Sequence, residues 1–122
     1  MRSRILAFDF GEKRIGVAVS DALNITAQSV GTIERKGIKN DIKKIQGLVR
    51  EYKAVKLIVG LPLNMNGTEG KSANLAIDFA DELKKEIDIN VEMIDERLTT
   101  AQGERMFLEA DLSRKKRKKN IN

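Results

Sequence analysis

No cysteine and no histidine occur among the 122 residues. The lack of thiols excludes a disulfide framework and thiolate metal sites. The lack of imidazole closes zinc chemistry and histidine general-base catalysis. Any catalysis must therefore use carboxylates, hydroxyls, lysine or a bound metal. Aromatics are scarce, at 4%. Phe8, Phe10, Tyr52, Phe79 and Phe107 fall mostly on apolar faces, so base stacking has little support. No apolar run approaches the ~20 residues of a membrane span, and the basic N-terminus leads straight into a strand pattern with no signal-peptide core. Length and a 41% hydrophobic content predict one soluble domain over residues 1–122.

The charge is local. Six of the 23 basic residues are consecutive (Arg114, Lys115, Lys116, Arg117, Lys118, Lys119), leaving 17 basic against 18 acidic residues elsewhere. Such a block reads as a solvated or flexible segment, here residues 113–122, or as a nucleic-acid contact.

The hydrophobic pattern predicts the order β-β-β-α-β-α-β-α. Residues 5–8 form an apolar run of strand length. Ile15, Val17 and Val19 alternate with small residues, and 27–33 make a third strand. Ile42, Ile45, Leu48, Val49 and Tyr52 recur at helical spacing between 39 and 52. A buried strand over 55–61 ends at Pro62, and a loop of turn-forming residues follows it. Ser72 is the expected cap of a second helix whose stripe is Ala76, Phe79, Ala80, Leu83 and Ile87. A strand over 89–94 closes at Asp95-Glu96-Arg97. A third helix opens at Leu98 with Thr99 and Gln102 in capping-box spacing, and Asp111-Leu112-Ser113 is expected to break it.

Helical crossovers after the third and fourth strands make the later strands parallel partners of the first. Asp9 and the Asp95/Glu96 pair then sit at the carboxyl ends of parallel strands, on the same edge, where open sheets of this kind bind ligands. Asp9 reads either as a carboxylate bonded to its own turn or as a metal or phosphate site. Asp95, Glu96 and Arg97 read either as a strand-end cap with a local salt bridge or as part of that site. Converging carboxylates repel each other, and Mg²⁺ or Mn²⁺ resolves this with oxygen ligands and retained water. Such ions support phosphodiester cleavage. Lys13, Arg14 and Arg97 flank the acids and are candidates to hold a phosphate backbone.

Two glycine patterns do not qualify as phosphate loops. Gly11 and Gly16 have the spacing, but Val17 and Ala18 follow where Lys and Ser or Thr are needed. Gly70-Lys71-Ser72 lacks the preceding glycine, since Met65 stands there.

Taken together, DFGEKRIGVAVSD, VGLPLNMNGTEG and DERLTT resemble the YqgF family, also called RuvX. Its members are RNase H-like, resemble Holliday junction resolvases and are assigned as pre-16S rRNA nucleases. The resemblance runs from Ile5 to about Asn122. It implies an RNase H-like α/β fold on a mixed five-stranded sheet, with the family's last helix absent from this sequence. It also implies a cytoplasmic nuclease that trims the 5′ end of precursor 16S rRNA. Asp9 matches the family's first-strand acid, and Glu96, with Asp95 beside it, matches the acidic pair of DERLTT. The segment LSRKKRKKNIN resembles the basic approach to the last helix, and Asn122 stands where relatives carry a third acid.

The leading expectation is a hydrolase in which Asp9 and Glu96 bind Mg²⁺ or Mn²⁺, with Asp95 as a further catalytic acid. Lys13, Arg14, Arg97 and the basic block would hold structured RNA. Competing expectations are a silent RNA-binding or ribosome-assembly module, a resolvase-like nuclease of branched DNA, and an ATP-handling domain like those of actin and Hsp70. The last needs a second domain for which this length leaves no room. No membrane partner is expected, and the chain should be a monomer or weak homodimer.

Overall fold

A computed structural model of the chain describes residues 4–21, 26–97, 100–116 and 121. Its elements are β1 (Arg4–Phe10), β2 (Arg14–Ser20), β3 (Ala27–Glu34), α1 (Ile38–Tyr52), β4 (Ala54–Leu61), α2 (Lys71–Glu86), β5 (Asn90–Asp95) and α3 (Ala101–Lys116). This is the expected order; β2 to β5 lie within a residue of their expected bounds, whereas β1 runs two residues past the expected end at Phe8 and so includes Asp9. The five strands lie in the order β3-β2-β1-β4-β5. β1 pairs antiparallel with β2 and parallel with β4, and β4 pairs parallel with β5. This is the mixed sheet of an RNase H-like fold.

Strand alternation divides the side chains between two layers. Leu6, Phe8, Ile15, Val17, Val19, Leu57 and Val59 pack against Ile45 and Leu48 of α1 and Phe79 and Leu83 of α2. Each fully buried side chain of this size contributes roughly 1.5–3 kcal/mol. The opposite face carries smaller residues. Ala7, Ala18 and Ile58 meet Met106, Phe107 and Ala110 of α3.

Three local expectations are corrected. Ser72 lies inside α2, where Gly70 takes the cap position without a side-chain bond, and the amide of Asn74 donates to the Gly70 carbonyl. The third helix is capped by Thr100, whose hydroxyl accepts from the Gly103 amide at 3.2 Å; Leu98 and Thr99 lie outside the described residues. Asp111-Leu112-Ser113 does not break α3, which continues to Lys116. Buried Ser113 turns its hydroxyl back to the Glu109 carbonyl at 2.9 Å, so it does not compete with the helix backbone. The same hydroxyl meets Ser29 of β3. The first three residues of the basic block are thus helical, and Ile121 donates its amide to the Thr32 carbonyl of β3 at 2.7 Å.

Candidate active site

In β1, Leu6 and Phe8 face α1 and α2, so Ala7 and Asp9 face α3. In β5, Val91 packs with the first layer and Ile94 with the second, and Glu96, two residues on, follows Ile94. Because β1 and β5 both run parallel to β4 between them, their carboxyl ends meet at one edge. Asp9 and Glu96 line a cleft of about 680 Å³ there, together with Pro62, Phe107, Leu108, Asp111 and Arg114.

Glycines make the room for this arrangement. A Cβ on Gly60 of β4 would stand 2.9 Å from the Glu96 carboxyl carbon. One on Gly16, the register partner of Asp9, would collide with the Ala110 carbonyl of α3. One on Gly11 would lie 2.8 Å from the Arg14 carbonyl oxygen and 3.1 Å from Cδ of Arg114. Gly11 and Gly16, which have phosphate-loop spacing in sequence, are packing positions for α3.

Arg114 donates from Nε to Oδ2 of Asp9 at 2.7 Å and from Nη2 to Oδ1 of Asp111 at 3.2 Å. Burial pushes the Asp9 carboxyl above its ordinary range, with Arg114 opposing and Asp111 adding to the rise. Burial also raises Glu96, and the charges of Asp9 and Asp111 raise it further. Among the described residues, Glu96 has no ion-pair partner. Burial alone would lower the Arg114 guanidinium, but its bonds and charge contacts with Asp9 and Asp111 hold it above the usual value.

Asp95 is turned to a different partner. Arg97 donates to it from Nε at 3.1 Å and from Nη2 at 2.8 Å, and the Arg97 amide adds a third bond at 3.0 Å. Hydrogen bonding by Arg97 holds the Asp95 carboxyl below its ordinary range. Nη1 of Arg97 reaches the Met65 carbonyl at 3.3 Å, tying the end of β5 to the loop after β4. That loop is closed by Asn64, Asn66 and Thr68 and turns at Gly67.

Of the basic candidates, Lys13 is exposed. Arg14 is partly buried, and its Nε has no hydrogen-bond partner among the described residues. Lys115 pairs with Asp111 at 3.2 Å. Lys116 closes α3, and Arg117, Lys118, Lys119 and Asn122 lie outside the described residues. Asp111 had no place in the sequence-based site. The expected helix break hid it, whereas a helix continued through Ser113 puts Ala110, Asp111 and Arg114 on adjoining positions.

Asp9 and Glu96 offer hard oxygen donors in a cleft lined by neither sulfur nor imidazole, a set suited to Mg²⁺ or Mn²⁺. Among the described residues no group of three or more acidic side chains is placed to hold an ion. The fit is to a two-carboxylate seat, the number Mg²⁺ commonly takes when water and substrate phosphates complete its shell.

The family described as "RuvX: Holliday junction resolvase" matches residues 3–122. A protein of Natranaerobius thermophilus named "Putative pre-16S rRNA nuclease" is 52% identical over 118 residues, covering 97% of this chain and 84% of its own length. A protein of Clostridium tetani with the same name is 51% identical, covering 97% and 86%. Among solved structures, T. thermophilus RuvC in complex with a Holliday junction substrate is similar with a TM-score of 0.52 at 11% identity. The match covers 78% of this chain and 66% of that one, and shows a shared fold. With a family match along nearly its whole length and relatives about half identical, the chain belongs to the RuvX Holliday junction resolvase family.

Proposed function

We propose that this chain is a metal-dependent endonuclease that hydrolyses phosphodiester bonds in structured RNA, with the 5′ end of precursor 16S rRNA as its substrate. The observation that carries this reading is the convergence of Asp9 and Glu96 in one cleft at the carboxyl edge of parallel strands. The relatives named for pre-16S rRNA support the choice of substrate.

Asp9 and Glu96 would hold the ion through carboxylate oxygens. A bound Mg²⁺ or Mn²⁺ supplies an activated water and neutralises charge on the reacting phosphate. Half-burial of the two carboxyls strengthens their pull on a cation, since fewer waters compete for them. Arg114 and Lys115 carry positive charge to the rim of the cleft, and Lys13 presents it on the β1–β2 turn. These positions suit backbone phosphates and specify no sequence.

The experiment is cleavage of a precursor 16S leader with Mg²⁺. Asp9→Asn and Glu96→Gln should each lower turnover by at least ~100-fold while RNA binding persists. Unchanged turnover in both variants would sink the assignment. Salt-sensitive RNA binding with no turnover in the unmodified chain would establish the silent binding module instead.

A further inference from the structure

We propose that Arg114 is the resident counter-ion of the site. Its guanidinium holds the place beside Asp9 that the divalent cation takes, and loading requires Arg114 to release Asp9 while keeping Asp111. The proposal rests on the metal-dependent reading above and concerns how that site is filled.

The contact is built into the fold and is no chance surface rotamer. The Arg114 stem runs over the β1–β2 hairpin where two side chains are missing. A Cβ on Gly16 would lie 2.9 Å from the Arg114 Cβ, and one on Gly11 would lie 3.3 Å from its Nη1. The guanidinium then meets Asp9 at 2.7 Å and Asp111 at 3.2 Å. A charge-assisted bond of the first length is among the stronger contacts a side chain makes.

Charge explains why something must occupy this place. The cleft is lined by four carboxyls (Asp9, Glu96, Glu104 and Asp111) and two guanidiniums (Arg105 and Arg114), and Arg114 is bonded to both Asp9 and Asp111. With Arg114 withdrawn and no ion present, the carboxylates would repel one another across a partly desolvated space. A divalent cation between Asp9 and Glu96 removes that repulsion and makes the guanidinium at Asp9 redundant. Arginine cannot leave by losing its proton, so the exchange is a movement of the side chain. Asp111 makes the movement cheap, because Arg114 keeps one ionic partner when it gives up the other.

The test is calorimetric titration of the full chain with Mn²⁺ in the absence of RNA. Arg114→Gln and Arg114→Met both keep the stem that packs on Gly11 and Gly16. Each should bind Mn²⁺ at least about tenfold more tightly than the unmodified chain. Lys115→Gln makes the same change in net charge one residue away but touches only Asp111, and it should shift affinity by no more than about twofold. Equal or weaker binding by the Arg114 variants, or an equal gain from Lys115→Gln, overturns the exchange. Absence of Mn²⁺ binding in every chain overturns the metal-dependent reading along with it. If the Arg114 variants do not fold, nuclear magnetic resonance on the unmodified chain decides the matter. The Arg114 Nε–H signal should shift on Mg²⁺ addition with the same midpoint as the Asp9 carboxyl carbon. An Arg114 signal that stays fixed while Asp9 responds overturns the proposal.

Discussion

Gly60 lies directly beneath Glu96: a side chain on Gly60 would have its first carbon 2.9 Å from the Glu96 carboxyl carbon and 3.1 and 3.2 Å from its oxygens. The carboxylate can rest over β4 only because that strand carries no atom there. Gly60→Ala should push Glu96 away from the position opposite Asp9. Displacement of about 1 Å at a reacting centre costs on the order of 100-fold. We expect kcat to fall by about 10- to 100-fold, with a melting temperature within about 2 °C of the parent. Steady-state kinetics beside a thermal melt checks both, and full activity in Gly60→Ala would remove this account of Glu96.

Gly16 and Gly47 should respond to alanine in opposite directions. At Gly16 a methyl group meets the Ala110 carbonyl, which belongs to a helix backbone and cannot step aside. Gly16→Ala should cost about 1–3 kcal/mol through overpacking, read from urea unfolding. Gly47 lies inside α1 with nothing within 4 Å of the added carbon. Gly47→Ala should stabilise the chain by roughly 0.5–1 kcal/mol, because alanine loses less backbone freedom on folding.

The acids of the cleft should tax stability in a pH-dependent way. Burial, then the charges of Asp9 and Asp111, hold the Glu96 carboxyl above its ordinary range. The folded chain therefore binds that proton more tightly than the unfolded chain. Stability from this source is complete below the unfolded Glu value of about 4.3 and is lost as pH rises through the folded value. Glu96→Gln, which is always neutral, should melt about 2–5 °C above the parent at pH 7, and the two should converge near pH 4. A Glu96→Gln chain that is less stable at pH 7 would show that the carboxylate is satisfied in the folded state.

Asp95 and Arg97 should behave as one unit. Their side chains are joined by two bonds, and Arg97 carries the link on to Met65. If Asp95 orients the loop after β4, Asp95→Asn and Arg97→Ala should lower activity by similar modest factors, within about tenfold. The double variant should then do little more than either single one. A loss in Asp95→Asn comparable to that in Asp9→Asn would make Asp95 a catalytic acid, as the sequence alone suggested.

The sheet was legible because strand periodicity and crossover rules act locally and leave few alternatives. Phe8 beside Asp9, and Ile94 before Glu96, were enough to place two acids at one edge. What the sequence concealed depends on the approach of α3. Asp111 and Ser113 have lower intrinsic helix propensity than their neighbours, yet Ser113 finds the Glu109 carbonyl within the helix and the Ser29 hydroxyl on β3. Tertiary contact overrides propensity there, and with it Asp111 and Arg114 arrive at the site. Gly60 was equally silent, since a missing side chain has no pattern of its own. The alternatives left open for Asp9 and for Asp95 also turned on partners distant in sequence or in conformation. Asp9 meets Arg114, 105 residues away, while Asp95 meets its neighbour Arg97.

The way α3 is fastened fixes the charged end of the site. Ser113 meets the Ser29 hydroxyl of β3 and so holds the helix against the sheet. Asp111 and Arg114, which line the cleft beside Asp9, lie within two residues of that contact. Toward Ala101 the helix borders the rest of the cleft and a second cavity of about 260 Å³ lined by Thr100, Gly103 and Met106. A serine that touches no reacting group thus sets where the guanidinium bonded to Asp9 stands.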